Sequence, residues 1–192
     1  MHIKPEIRIL GIDDSSLHTD RVMIVGAVFR GSDWLDGVLR SHITKDGTDA
    51  TDTIIRMVRQ SKHFSQVRVL MLDGITYAGF NVVDITAVFD KTGIPVIVVM
   101  RDYPDLGRIR AALEHLSDPA PRWEVIKRAG KIHEVITRKG ENPVYFQHCG
   151  IGLEDARGVM RMSSTHSNIP EPLRAAHLIA TGIVCGESTG KA

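Results

Sequence analysis

The chain is 192 residues long, 43% of them hydrophobic and 24% charged, with a formal net charge of +1. That length suits one domain over 1–192, and the composition is globular, neither disordered nor fibrous. The longest apolar strings, 95–100 and 178–185, fall far short of the ~20 residues of a membrane-spanning helix, and 1–8 lacks the pattern of a leader, so no membrane and a cytoplasmic location are expected.

Taken in chain order, 7–13 is a short apolar run closed by polar residues and predicts a strand, as do 22–29 and 34–44. The short links between them suit hairpins, so the first three strands form an antiparallel meander. Thr48 or Asp49 would cap a helix reaching about Lys62, with Ile54, Ile55 and Val58 on one face. Strand and helix then alternate: a strand at 67–73, a helix at 81–91, a strand at 94–100 and a helix at 105–116. Pro119 and Pro121 mark a break. A strand pair at 131–137 and 144–149 and helices at 153–163 and 172–185 complete the reading. The order β-β-β-α-β-α-β-α is that of a ribonuclease H-like α/β fold, a mixed sheet with helices on both faces. The parallel half follows independently, because parallel neighbours need crossover helices.

Two carboxylates are singled out by position. Asp13 ends the first strand and Asp73 the fourth, and if these are parallel neighbours both open on one crevice, where ligands favour such sheets. Two carboxylates meeting there repel unless a cation lies between them, and hard oxygen ligands select Mg²⁺ or Mn²⁺. The competing explanation is that strand-end aspartates merely start turns. Asp46, Asp49 and Asp52 follow near the first helix; Asp49 serves equally as a helix cap, and spacing does not choose among them. Asp14 would point to the face opposite Asp13. His177 shares a helical stripe with Leu173, Ala176, Ala180 and Val184 and so faces the sheet, as a core histidine or as a metal ligand and proton shuttle.

Other signals are weaker. Residues 121–139 hold six basic residues against Glu124 and Glu134, which fits phosphate binding or a solvated face. Cys149 and Cys185 lie among apolar residues and are expected to be buried thiols in a reducing compartment. Neither they nor the histidines have zinc spacing. Gly186-Glu187-Ser188-Thr189-Gly190 fits a nucleophile-elbow string and Gly190-Lys191 part of a phosphate loop, but both lack the strand-turn-helix context.

Gly11-Ile12-Asp13-Asp14, the stretch 46–51, the string Leu72-Asp73-Gly74-Ile75-Thr76-Tyr77-Ala78-Gly79-Phe80-Asn81-Val82-Val83-Asp84, residues 170–180 and Gly186-Glu187-Ser188 together resemble the archaeal family catalogued as domain of unknown function ninety-nine. That family is similar in turn to endonuclease V, a ribonuclease H-like, Mg²⁺-dependent nuclease that nicks strands near inosine. The resemblance implies that Asp13 and Asp73 match its catalytic aspartates. Gly152-Leu153-Glu154-Asp155-Ala156 matches a helix start, and 170–177 matches its Pro-Glu-Pro-x-Arg-x-Ala-His segment. Two features depart: Asp46 or Asp49 stands where endonuclease V has a catalytic Glu, and its Pro-Tyr-x-Pro wedge has no counterpart near Arg40-Ser41-His42-Ile43. Arg101 replaces a lysine after the parallel strand and would keep a cation near phosphate.

The expectation is therefore a Mg²⁺- or Mn²⁺-dependent nuclease or phosphodiesterase acting on DNA or RNA. Asp13, Asp73 and Asp46 or Asp49 would be its metal ligands, His177 its assisting group, and Arg101 and Arg174 its phosphate contacts. The alternative is a non-catalytic nucleic-acid-binding or assembly protein on the same scaffold. Aromatic residues make up only 5% of the chain, which argues against base stacking as the main binding mode.

Overall fold

The computed structural model describes residues 4–15 and 17–188. Strand β1 (Arg8–Asp14) pairs antiparallel with β2 (Arg21–Arg30), and β2 antiparallel with β3 (Trp34–Thr44). After helix α1 (Ala50–Arg59), β4 (Val69–Asp73) returns parallel to β1. A small hairpin, β5 (Thr76–Tyr77) and β6 (Asn81–Val82), and helix α2 (Ile85–Thr92) lead to β7 (Val96–Met100), parallel to β4. Then come α3 (Leu106–Leu113), α4 (Pro119–Arg128), β8 (His133–Val135), β9 (Val144–Cys149), α5 (Leu153–Ser163) and α6 (Glu171–Cys185). The main sheet has seven strands in the order β3-β2-β1-β4-β7-β9-β8. It is antiparallel on the β3 side, parallel across β1, β4 and β7, and antiparallel again at β9 and β8.

Side-chain alternation along the central strands loads both faces. Leu10, Ile12, Leu70, Leu72, Val96 and Val98 point to the side packed with Ile54 and Val58 of α1 and Ile85 and Val88 of α2. Ile9, Val69, Met71, Ile97 and Val99 point the other way, against Val159 and Met160 of α5 and Leu173 of α6. Ala176 and Ala180 let α6 lie close on Val25 and Ala27 of β2. Each fully buried aliphatic side chain contributes about 1.5–3 kcal/mol, so the unbroken apolar runs of β4 and β7 hold the sheet's centre.

Helix starts follow local chemistry. Asp84 caps α2 by accepting from the Thr86 and Ala87 amides, and Asp105 caps α3 through Arg108. Four expectations need correction. The helix expected from residue 81 begins at Ile85, because Asn81 belongs to β6 and its amide side chain is buried in hydrogen bonds. The presumed break at Pro119 and Pro121 is the start of α4, since proline suits the first turn, where no intrahelical N–H bond is lost. The strand expected over 131–137 is reduced to three residues. The thiols of Cys149 and Cys185 are half-buried rather than enclosed. Among the described residues no helix is long and apolar enough to cross a membrane. Thr189, Gly190 and Lys191, in the two discarded strings, lie outside the described residues.

Candidate metal centre

The C-terminal ends of β1 and β4 bring Asp13 and Asp73 side by side, because the parallel ladder pairs Ile12 with Leu72 one residue earlier. Above them runs α6. Gly11 makes this possible: a Cβ there would stand 2.4 Å from the Pro172 carbonyl carbon, so only glycine lets the first turn of α6 touch β1. From that contact, five helical residues advance about 7.5 Å and two strand residues about 6.8 Å. His177 therefore arrives beside Asp13, its Nδ1 2.9 Å from Asp13 Oδ2. Both oxygens of Asp13 are engaged, since Oδ1 accepts from the Asp14 amide at 2.8 Å. The stripe carrying His177 stays buried to Ala180 and Thr181, whereas Val184, expected on the same face, is exposed.

Among the described residues, Asp13, Asp73 and His177 each offer a ligand atom within 4.8 Å of the others. Burial first, then the Asp13 charge, pushes the Asp73 carboxyl up to about 7; Arg101 and His177 oppose the rise. Burial, aided by Asp13 and opposed by the Ala78 amide, raises Asp14 to about 6. Crowded carboxylates whose charged forms are disfavoured are what a divalent cation relieves, and two carboxylates with an imidazole form a donor set that Mg²⁺ or Mn²⁺ accepts.

Tyr77 and Asp14 were not anticipated in this site. The buried Tyr77 hydroxyl donates to the Ile12 carbonyl at 2.7 Å and accepts from the Asp73 amide at 3.1 Å. It clasps the two strand ends at the point where their ladder stops. Burial, Asp13 and Asp73 hold its pKa well above the ordinary value, so it stays a neutral donor. Asp14 does take the face opposite Asp13, where it accepts from the Ala78 amide. It nonetheless stays close enough to contribute to the raised Asp73 pKa. The adjacent acids in Gly11-Ile12-Asp13-Asp14 were the available signal for Asp14; Tyr77 had none, because its partners are backbone groups.

Asp46 and Asp49 are not brought into this cluster. Asp46 sits at φ 50°, its carboxylate accepting from the Phe80 amide at 2.8 Å and its carbonyl from Arg122. Asp49 accepts from Thr44 and from the Asn81 side-chain amide at 2.6 Å. Burial works against its charge, but the Thr44 amide and the Asn81 bond outweigh it and hold the carboxyl below its usual range. Both acids fasten the loop between β3 and α1 to the β5–β6 hairpin. Arg101 stands near enough to Asp73 to favour its charged form. Arg174 donates from Nε to the buried Glu171 at 2.8 Å, so its charge is balanced within α6. The basic stretch 121–139 is largely paired: Arg122 is buried among the Asp46, Gly47 and Phe80 carbonyls, Lys127 meets Glu124, and Arg128 meets Asp84.

Residues 5–184 match the protein family described as Endonuclease dU. The chain belongs to that family. Relatives named UPF0215 proteins, from Methanosarcina acetivorans and Methanosarcina barkeri, are each 62% identical to it over 191 residues, covering 100% of this chain and 97% of theirs. A crystal structure of a protein of unknown function from Archaeoglobus fulgidus matches with a TM-score of 0.84 at 39% identity, covering 92% of this chain and 98% of that one. Endonuclease V from Bacillus subtilis matches at a TM-score of 0.63 and human ENDOV at 0.62, each 14% identical. These two alignments cover 96% and 90% of this chain and 84% and 82% of theirs. At that identity the likeness to endonuclease V is one of fold: a mixed sheet flanked by helices.

Proposed function

We propose that this chain, a single ribonuclease H-like domain, is a nuclease that breaks phosphodiester bonds in DNA or RNA with Mg²⁺ or Mn²⁺. The observation that carries this reading is the convergence of Asp13, Asp73 and His177 at the ends of two parallel strands. The fold shared with endonuclease V and the family's description support it. Asp13 and Asp73 would hold the ion. When bound, it supplies activation of water and neutralisation of charge at the leaving oxygen. His177, oriented by Asp13, takes or returns a proton beside the reacting phosphate. Arg101, on the Asp73 side, holds a phosphate oxygen. Asp46 and Asp49 shape the rim through the hairpin rather than ligate. Arg174 acts on phosphate only as far as Glu171 leaves its outer edge available.

The experiment is cleavage of end-labelled strands carrying one dU, one inosine or neither, as DNA and as RNA, with EDTA, Mg²⁺ or Mn²⁺. Metal-dependent nicking that falls by more than about 100-fold in both Asp13→Asn and Asp73→Asn is expected. Binding without cleavage under every condition would overturn it in favour of a non-catalytic nucleic-acid-binding protein.

A further inference from the structure

Strand β3 is an edge of the sheet and runs the same way as β1, with β2 reversed between them. Its C-terminal end therefore lies at the end where Asp13 sits. The registers place Asp13 opposite Val25 and Val25 opposite Arg40, so Asp13 and Arg40 occupy one row of one face, two strand spacings or about 10 Å apart. His42 pairs with Met23, two residues from Val25. Arg21, two residues before Met23, shares this face by alternation. The three basic residues lie together: burial, then the charges of Arg21 and Arg40, lowers the pKa of His42. Helix α6 packs on β1 and β2, and Arg21 and Arg40 are exposed. Among the described residues neither arginine has a carboxylate within 4 Å. Asp20 is the neighbouring acid in sequence.

The geometry points to a phosphate-binding surface formed by Arg21, Arg40 and His42, along which the backbone of a nucleic acid lies as it leaves the Asp13 site over the β3 edge. This rests on the nuclease reading and adds to it where the substrate runs. A separation of about 10 Å is on the scale of the charge spacing of a nucleic-acid backbone, so a strand with one phosphate at Asp13 brings a neighbouring phosphate within reach of the long Arg40 side chain. Charges on an edge strand also deter edge-to-edge pairing. That purpose is met by either sign, whereas clustering of one sign in register with the acidic site suits a polyanion that must reach that site.

The test measures anisotropy of a fluorescein-labelled 30-base-pair DNA duplex in EDTA over a series of salt concentrations. Arg21→Ala with Arg40→Ala is expected to weaken binding about tenfold at 100 mM salt and to flatten the slope of log K against log salt by about two. The Arg21→Lys, Arg40→Lys pair should restore most of the slope. Arg59→Ala with Lys62→Ala, which removes the same charge at the end of α1, should change neither. Equal loss in that control, an unchanged slope in the arginine pair, or selective loss of binding to phosphatidylserine vesicles instead of DNA would each overturn the surface. Binding is read without metal or cleavage. A failure of the nuclease reading therefore shows as absent cleavage with the slope change intact, and a failure of the surface shows as the reverse.

Discussion

Two sets of acids stand at the same end of the sheet and differ in what faces them. Asp46 and Asp49 each accept hydrogen bonds from amide N–H groups, and Asp49 is held below its usual carboxylate range. Asp13 and Asp73 converge on one face and Asp14 stands within electrostatic reach from the other, and Asp73 and Asp14 are raised to about 7 and about 6. Asp13 and Asp14 also accept from amides, so the contrast lies in the crowding: it separates acids that build a loop from acids pressed together by like charge. A carboxylate supplied with donors is satisfied by the fold; carboxylates crowded without enough donors gain from a cation.

The largest expected effects break this contrast directly. Asp73→Asn should abolish metal-dependent nicking, by more than about 100-fold, while its Tm holds or rises, because a repulsive charge has gone. Asp49→Ala should do the opposite, lowering stability by about 1–3 kcal/mol through the orphaned Asn81 and Thr44 donors and leaving metal binding intact. Chemical denaturation and metal titration of both variants check the pair. If Asp49→Ala lost metal binding at full stability, the division between the two sets would collapse.

Next in size is Gly11→Ala. The new methyl collides with the backbone at Pro172 and Leu173. Overpacking of this kind costs about 1–3 kcal/mol or more. The resulting shift of His177 from Asp13 should reduce nicking about 100-fold, the penalty of misplacement by about an ångström. A variant that lost stability while keeping full activity would show that His177 does not need its place beside Asp13.

Tyr77→Phe strikes between the two acids without touching a charge. It leaves the Ile12 carbonyl and the Asp73 amide without their shared partner, at about 1–3 kcal/mol, and should weaken Mn²⁺ binding about tenfold. Val83→Ala, a buried truncation in the same hairpin region, is the comparison: stability should fall and Mn²⁺ affinity should not.

The smallest effect is on pH dependence, and its sign differs between the sets. The folded chain keeps protons on Asp73 and Asp14 up to about 7 and 6, where the unfolded chain releases them near 3.8. The folded state then binds more protons, so this contribution to stability falls as pH rises from about 4 to 7. Asp49 works the other way: its contribution is present above pH 4 and lost as pH falls through its lowered pKa. Saturating Mn²⁺ should flatten the downward trend in a plot of Tm against pH between 4 and 7. A trend indifferent to Mn²⁺ would place the raised carboxylates outside any ion site.

Much of the frame was legible because it rests on apolar runs. β1, β2, β4 and β7 are buried on both faces, and Asp13 and Asp73 follow from where two of those runs stop. His177 was legible through helical spacing. The hairpin was not, since strands of two residues carry no period and depend on Ala78 and Gly79 adopting positive φ. Helix α4 was missed because its prolines, read as a stop, occupy the one turn that tolerates them. Arg122 could not be seen as buried, because four partners from three segments hold it: Asp46, Gly47, Phe80 and Asp118. Asp46 and Asp49 were ambiguous for the same reason. Their partners Phe80 and Asn81 lie more than thirty residues away and came near only in the fold.

The most direct measurement is a Mn²⁺ titration followed by electron paramagnetic resonance, in the unsubstituted protein and in Asp13→Asn, Asp73→Asn and Asp49→Asn. One ion per chain, with affinity lost in the first two variants and kept in the third, is the expected result. Equal affinity in all four proteins would contradict a metal centre at Asp13 and Asp73.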